Sequence, residues 1–272
     1  MATRNSIAFL GVGNMGGAIV KGILTSGLFS PENVVLCDVF KEKCETFINL
    51  GCRYTSQLTE AVQRADIVLL SVKPQQMDEV FAEICPLISG KLVLSIAAGL
   101  PIEKIAVNLP GASVVRIMPN TPLLLGEGVS ALGRRPDVSF VSEEDFALAF
   151  RIFSASGMAV ELAEEQINPI TALTSSSIAY FARFIGDMYE WAIENGFSPS
   201  KETMEMICRS AIGTSALLIK TDFDPKTLEA AVTSKGGTTA AAMKVFTEEG
   251  IDTIIPKAMD ACLHRADELA GK

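Results

Sequence analysis

The glycine pattern Gly11-x-Gly13-x-x-Gly16 is the feature that most restricts what this chain can fold into. It comes directly after a short apolar run, residues 7–10, and it opens a helical pattern of small and apolar residues. A strand, a tight glycine turn and a helix in this order are typical of the unit that binds a dinucleotide. The first glycine makes the turn, and the second lets the backbone approach a pyrophosphate at the start of the helix. We therefore expect a dinucleotide to bind at Gly11, Gly13, Asn14, Met15 and Gly16.

The hydrophobic pattern divides the chain into two parts. Up to about residue 165, short apolar runs alternate with helical patterns, as in a parallel sheet with crossover helices. The predicted strands are 7–10, 34–38, 66–72, 92–97, 114–118, 128–132 and 158–162. The predicted helices include 16–24, 42–50, 78–84, one from a Ser142 cap to 154, 167–194, 200–221, one from an Asp224 cap over 225–231, 239–249 and 251–269. The sequence thus predicts an α/β fold, with a Rossmann-type, mostly parallel sheet domain over residues 1–165 followed by an all-helical domain over residues 166–272.

Charge and hydropathy exclude several classes of function. The formal net charge of −9 gives no support for binding nucleic acid or a membrane surface, since both require basic patches. The most apolar long stretch, residues 170–193, carries Arg183, Asp187 and Glu190 and is not expected to span a membrane. We expect neither nucleic acid nor a membrane as a partner.

The cysteines and the single histidine argue against metal and thiol chemistry. The six cysteines have no CxxC spacing, which is typical of reduced, buried thiols in a cytoplasmic protein. His264 is the only histidine, which excludes a histidine-rich metal site and argues against a Ser–His triad. We therefore expect no metal ion and a cytoplasmic location.

Asp38, at the end of the second predicted strand, bears on the choice of nucleotide. It can accept hydrogen bonds from a ribose diol, which favours NADH. Lys41 and Lys43 are close in sequence and can neutralise a 2′-phosphate, which favours NADPH, although both also suit a solvated helix face. These signals oppose one another, so we expect NADPH or NADH as the cofactor.

Two proline-ended turns follow later strands, at the edge where an open α/β sheet binds its ligands. They are "SVKP", residues 71–74, and "MPNTP", residues 118–122, and they present Lys73 and Asn120. Ordinary turns without a ligand are the alternative interpretation. As cofactor contacts from these turns we expect Ser71, Lys73, Pro74, Pro119 and Asn120.

Five segments together resemble a known family. "FLGVGNMGGAIVKG", "SVKP", "SIAAG", "RIMPNTP" and "VTSKGGTT" are similar, in order and spacing, to the pyrroline-5-carboxylate reductases, over nearly the whole chain. "MPNTP" and the Gly-Gly-threonine stretch are specific to that family. The resemblance implies a Rossmann domain followed by a helical dimerisation domain, and reduction of a five-membered cyclic imine to L-proline with NADPH or NADH. It also implies cofactor contacts from Ala97, Ala98 and Gly99.

The same resemblance assigns a role to the "VTSKGGTT" stretch. It implies that the substrate binds to Val232, Thr233, Ser234, Gly236, Gly237, Thr238 and Thr239. Glycine N–H groups at a helix start form an anion site that suits a carboxylate. Thr239 matches the family threonine near the imine nitrogen, where it would orient and polarise while water completes the proton transfer. From the residues alone, a threonine-capped helix with a glycine hinge is an equal alternative.

The chain departs from the family pattern at two places. Ser175, Ser177 and Ile178 replace two glycines and a proline of a Ser-Gly-Ser-Gly-Pro-Ala-Tyr run, and Lys235 replaces a proline. These departures leave open a reductase of a related cyclic imino acid and a non-catalytic dinucleotide-binding paralogue. The β-hydroxyacid dehydrogenases and imine reductases are a third alternative, because they share a Rossmann start and a helical second domain.

Overall fold

The computed structural model describes residues 4–222 and 224–270 of the chain. The strands are β1 Ile7–Leu10, β2 Val34–Cys37, β3 Arg53–Thr55, β4 Ile67–Leu70, β5 Leu92–Ser95, β6 Ser113–Pro119, β7 Gly128–Gly133 and β8 Gly157–Glu161. The helices are α1 Asn14–Thr25, α2 Glu45–Ile48, α3 Leu58–Gln63, α4 Met77–Ile84, α5 Ile102–Asn108, α6 Glu143–Ser154, α7 Ile167–Ile170, α8 Ser177–Glu194, α9 Lys201–Lys220, α10 Pro225–Val232, α11 Thr238–Glu248 and α12 Ile251–Leu269.

The eight strands form a single sheet in the order β3-β2-β1-β4-β5-β6-β7-β8. Neighbours from β3 to β6 pair in parallel, β7 runs antiparallel to β6, and β8 runs parallel to β7. The parallel part has the doubly wound order 3-2-1-4-5-6. The strand order reverses between the neighbouring strands β1 and β4. Ligands of such sheets bind beyond the carboxyl ends of the strands at that point. The predicted Rossmann-type fold is confirmed.

Both faces of the sheet are covered, which explains the unbroken apolar runs. In β1, Ile7 and Phe9 belong to one buried cluster, whereas Ala8 and Leu10 belong to another on the opposite face. A parallel strand between two helical layers has no solvated face, so it does not alternate with polar residues. The apolar pattern of β1 therefore follows from its central place in the sheet.

Two predicted helix caps are confirmed. The hydroxyl of Ser142 accepts a hydrogen bond from the backbone N–H of Asp145 at 3.1 Å, at the start of α6. The carboxylate of Asp224 accepts from the N–H groups of Lys226 at 2.9 Å and Thr227 at 3.1 Å, at the start of α10. Each cap satisfies backbone donors that the first helical turn leaves without partners.

The structure differs from the sequence prediction where local signals are weak. The edge strand β3 and the helices α3 and α5 are absent from the predicted elements. The predicted helix 167–194 is interrupted by a π-helical turn, Thr171–Ser175. The hydroxyls of Thr171 and Thr174 donate to carbonyls four residues earlier, and such bonds compete with a regular α-helix.

The chain forms two compact units, Met1–Ser175 with Cys262–Lys272, and Ser176–Ala261. The predicted domain limits, 1–165 and 166–272, stay a prediction based on the helical pattern. The second unit exposes large apolar side chains, including 67% of Phe181, 62% of Trp191 and 81% of Ile219. No helix in the described part of the chain has the length and apolar character needed to cross a bilayer.

Candidate functional site

The three glycines of the turn between β1 and α1 have different structural roles. Gly11 has φ +98°, and a Cβ there would lie 2.8 Å from the carbonyl oxygen of Ser71. A Cβ at Gly16 would lie 2.6 Å from the carbonyl oxygen of Gly11. Packing within the protein therefore requires both glycines. At Gly13, by contrast, a Cβ would meet no described atom within 4 Å, so packing within the protein does not require a glycine there.

The first turn of α1 offers backbone donors at this open position. Gly13 is the N-cap, it is exposed together with Asn14, and no side chain caps the helix. The first N–H groups of a helix have no intrahelical acceptor and carry the positive end of its dipole. The turn formed by Gly13, Asn14, Met15 and Gly16 therefore fits the pyrophosphate of a dinucleotide.

Asp38 is held inside this turn. One oxygen of its carboxylate accepts from the N–H of Val12 at 2.8 Å, and the other accepts from the N–H of Phe40 at 2.9 Å. The side chain is 8% exposed, and the ammonium of Lys43 lies 3.7 Å from it. Its predicted contact with a ribose stays a prediction. Through the hydrogen bond from Val12, Asp38 links the end of β2 to the glycine turn.

The thiols of Cys37 and Cys44, close to Asp38, are not nucleophiles. Burial, and then the negative charge of Asp38, raise the pKa of Cys37 to about 12. Burial likewise raises the pKa of Cys44 to about 11. Both groups stay protonated at neutral pH, and the thiolate is the reactive form of cysteine. The site therefore offers no thiol chemistry.

The "SVKP" turn lies at the same edge, after β4. The hydroxyl of Ser71 donates to the carbonyl of Gly11 and so ties the two turns together. Lys73 is exposed and precedes the short turn Pro74–Gln76 that leads into α4. Of the residues expected here, the structure places Lys73 and Pro74 in the open and makes Ser71 part of the glycine turn.

The "MPNTP" turn holds its asparagine inward. The amide oxygen of Asn120 accepts from the N–H of Val129 at 2.8 Å, and its nitrogen donates to the carbonyl of Thr174 at 3.0 Å. The side chain is 6% exposed. The expectation that Asn120 presents its amide at the sheet edge is wrong, because the amide bonds to Val129 and to the carbonyl of Thr174 in the π-helical turn. The predicted contacts of Pro119 and Asn120 with a cofactor stay a prediction.

The loop after β5 contacts the end of the chain. Ala97 is buried, Ala98 is exposed, and Gly99 has φ +72°. A Cβ at Gly99 would lie 3.2 Å from both the Cβ and the carbonyl oxygen of Leu269, in the last turn of α12. The predicted cofactor loop thus has one wall made by the C-terminal residues of the same compact unit.

A buried charged network near this loop is missing from the sequence prediction. Arg116, in the middle of β6, donates to Asn168 at 2.8 Å and lies 3.5 Å from a carboxylate oxygen of Glu164. The signal was present in the sequence, since an arginine within the apolar run "VVRIMP" must have a buried partner. Sequence position alone could not identify that partner, because both contacts come from about fifty residues later in the chain.

The predicted substrate residues 232–239 run from the last residue of α10, through a turn, into the start of α11 in the second unit. The N–H of Gly237 donates to the carbonyl of Ser234 at 3.0 Å, and Gly236 has φ +74°. Gly237 is the N-cap of α11, and no side chain caps that helix. Thr239 is half-buried in the first turn, while Lys235 is exposed. The arrangement can offer backbone N–H groups to an anion.

Two of the cavities formed by the described residues lie away from these turns. One of about 760 Å³ is lined by Arg4, Asn33 and Asp145 and lies at the amino ends of the strands, opposite the ligand edge. The other, about 690 Å³, is an apolar groove of the second unit that includes Phe184, Trp191 and Phe246. Over residues 4–222 and 224–270, no three His, Cys, Asp or Glu side chains are grouped to hold a metal ion.

Two family models match the chain. Residues 164–269 match the model described as pyrroline-5-carboxylate reductase dimerisation. Residues 6–99 match the model described as NADP oxidoreductase, coenzyme F420-dependent. The first range contains the turn that is predicted to bind the substrate, and the second contains the glycine turn.

Curated relatives and solved structures match almost the full length. The pyrroline-5-carboxylate reductase of Haemophilus influenzae is 36% identical over 97% of both chains, and that of Escherichia coli is 32% identical over 98% of this chain and 99% of its own. The structure of a pyrroline-5-carboxylate reductase from Coxiella burnetii superposes with a TM-score of 0.89 at 30% identity, over 99% of both chains. The Plasmodium falciparum pyrroline carboxylate reductase, solved with NADP bound, gives 0.89 at 26% identity, over 99% of this chain and 100% of its own.

Proposed function

This chain belongs to the pyrroline-5-carboxylate reductase family and catalyses the NAD(P)H-dependent reduction of 1-pyrroline-5-carboxylate to L-proline, and we propose the residues that carry out each part of that reaction. The observation with the greatest weight is the match over almost the whole length, which includes both the glycine turn and the helical part. The match over nearly the full length supports this family over the β-hydroxyacid dehydrogenases and imine reductases.

The cofactor site in this proposal is the ligand edge of the sheet. Gly11, Gly13, Asn14, Met15 and Gly16 hold the pyrophosphate, because Gly13 leaves open space beside the free N–H groups of α1. Asp38 fastens the turn, and Lys41 and Lys43 supply positive charge nearby, so both NADPH and NADH are accepted. Ser71, Lys73, Pro74, Ala97, Ala98, Gly99, Pro119 and Asn120 complete the contacts. The nucleotide, when bound, supplies the hydride that adds to the imine carbon.

The substrate site in this proposal is the turn before α11. The N–H groups of Gly236 and of the first turn of α11 bind the carboxylate, and the residues Val232, Thr233, Ser234, Gly237, Thr238 and Thr239 surround the ring. As hydride adds to carbon, the imine nitrogen must gain a proton or it would develop negative charge. The hydroxyl of Thr239 orients and polarises that nitrogen, and water delivers the proton because a threonine is a poor acid.

The two serines that differ from the family pattern, Ser175 and Ser177, support the five-membered substrate over a related imino acid. The hydroxyl of Ser175 donates to the carbonyl of Pro119 at 3.3 Å, within the first unit. Ser177 is 8% exposed at the start of α8, within the second unit. Both side chains are thus accommodated by packing, which supports a substrate site that keeps the family's ring size.

The helical part mediates self-association in this proposal. It exposes aromatic side chains in an apolar groove of about 690 Å³ and matches a family dimerisation model. Contiguous apolar surface of this kind is rare on monomers. The absence of CxxC spacing among the six cysteines supports a cytoplasmic location, and a net charge of −9 argues against nucleic acid as a partner.

Thr239→Ala tests the assigned chemistry. Loss of a hydrogen bond made mainly in the transition state should lower kcat roughly 10- to 1000-fold while KM changes less. Thr247→Ala is the matched control, since Thr247 lies in the same helix and its hydroxyl bonds only to the carbonyl four residues earlier. Steady-state oxidation of NADPH with the cyclic imine measures both. A Thr239→Ala enzyme with the wild-type kcat would leave Thr239 as a helix residue without a catalytic role.

A further inference from the structure

Arg116 is a buried cation whose role the reaction itself does not explain. It is 2% exposed, and its Nε has no hydrogen-bond partner in the described part of the chain. Burial lowers the pKa of this guanidinium, and the nearby carboxylate of Glu164 opposes that effect. Replacing such a buried pair with apolar side chains often costs no stability. Stability alone is therefore a weak reason for an arginine in the middle of a sheet.

Both partners of Arg116, Glu164 and Asn168, are connected through hydrogen bonds to supports of the loop after β5. Glu164, which lies 3.5 Å from Arg116, also accepts from the N–H of Ile102 at 2.7 Å. Ile102 is the first residue of α5, directly after the loop that contains Ala97, Ala98 and Gly99. The first arm of the network therefore fixes the far end of that loop.

The second arm reaches the loop from the C-terminal side. The amide oxygen of Asn168 accepts from Arg116 at 2.8 Å, and its nitrogen donates to the carboxylate of Asp267 at 2.8 Å. Two residues later, Leu269 lies against the backbone position of Gly99. All of these residues belong to the first compact unit. The loop is thus held between α5 and the last turn of α12, and Arg116 joins the two supports.

We propose that Arg116 is a positioning residue for the cofactor: through Glu164 and Asn168 it holds the loop 96–101 in the conformation that binds the nucleotide. The inference rests on the proposed cofactor contacts of Ala97, Ala98 and Gly99. It makes Asn168 and Asp267, which are not placed next to the nucleotide, determinants of cofactor affinity.

Exchanging the amide and the carboxylate tests this inference in the full-length protein. In Asn168→Asp, the carboxylates at positions 168 and 267 repel one another, and the hydrogen bond between these positions is lost. The double variant Asn168→Asp with Asp267→Asn restores both hydrogen bonds with the donor reversed, since position 168 then accepts from Arg116 and from position 267. Losing one hydrogen bond should raise the Kd for NADPH about 2- to 10-fold in the single variant, and the double variant should return to the wild-type value.

Fluorescence titration with NADPH gives Kd, and steady-state kinetics should show KM rising for NADPH and not for the cyclic imine. Asp267→Ala, near the end of the chain, provides a second test should Asn168→Asp fail to fold, with the same expected rise in Kd. Arg4→Met is the stability control, because it removes the Arg4–Asp145 ion pair at the opposite edge of the sheet.

The outcomes separate this inference from the proposed function. If the wild type binds NADPH and Asn168→Asp or Asp267→Ala lowers Tm like Arg4→Met without changing Kd, the network is structural and the inference is wrong. A double variant that folds and does not recover affinity also overturns it. A wild type that does not bind NADPH would overturn the proposed cofactor site and this inference together.

Discussion

Replacing Gly13 by alanine separates cofactor binding from folding. The backbone at Gly13 has φ −72°, which alanine adopts without strain, and its Cβ would meet no described atom within 4 Å. Alanine is a poorer N-cap than glycine by about 0.5–1 kcal/mol. Alanine also lowers the conformational entropy of the unfolded chain, which stabilises the folded protein by about 0.4–1 kcal/mol. The two effects nearly cancel, so the free energy of unfolding should change by less than about 0.5 kcal/mol.

Binding should respond far more strongly. The added methyl group occupies the space through which a phosphate approaches the backbone at the start of α1. Loss of one hydrogen bond to a charged group is worth about 1.5–3 kcal/mol. The Kd for NADPH should therefore rise about 10- to 150-fold in Gly13→Ala.

Thermal unfolding and NADPH titration of the same sample measure the two effects. Gly17→Ala is the matched control in the same helix, because its Cβ would make an ordinary contact with the ring of Phe47 at 3.7 Å. It should leave Kd at the wild-type value and raise Tm, because alanine is favoured over glycine inside a helix by about 1 kcal/mol. Unchanged affinity in a stable Gly13→Ala protein would refute the reasoning, since it would place the pyrophosphate away from this glycine.

Two further substitutions test the electrostatics of the two sites. Asp38→Ser should raise KM for both NADH and NADPH, by about threefold or more, because the N–H of Val12 loses its acceptor. A preference that moves toward NADPH with no loss of NADPH affinity would instead place Asp38 at the ribose. Lys235→Pro, which restores the family residue, should raise KM for the cyclic imine severalfold and leave KM for the nucleotide unchanged, if the exposed ammonium attracts the carboxylate. An unchanged KM for the imine would show that Lys235 points into solvent.

The sequence predicts those features that depend on neighbours along the chain. The strand-turn-helix at Gly11–Gly16 requires only local residue types, because φ +98° at Gly11 needs a glycine and a buried parallel strand needs an unbroken apolar run. The caps at Ser142 and Asp224 are similarly local. The order of these elements, together with the alternation of strands and helices, is enough to predict the Rossmann-type sheet.

The features that the sequence does not predict depend on distant partners. Asn120 turns inward because its amide nitrogen donates to the carbonyl of Thr174, more than fifty residues later in the chain. Asp38 bonds to Val12 rather than facing outward because β1 and β2 are neighbours in the sheet. Arg116 could be recognised as a buried charge, but no local pattern identifies its partners. The three-residue strand β3 is too short to leave a periodic signal.

The transfer of deuterium from the nucleotide tests the central claim most directly. The wild-type protein is incubated with NADPH that carries deuterium at both C4 positions of the nicotinamide and with 1-pyrroline-5-carboxylate, and the product is examined by mass spectrometry and NMR. Reduction of the imine by hydride transfer predicts L-proline with one deuterium on the former imine carbon for each labelled hydride transferred. Proline without the label, or no consumption of NADPH by a protein that binds it, would contradict the assigned function.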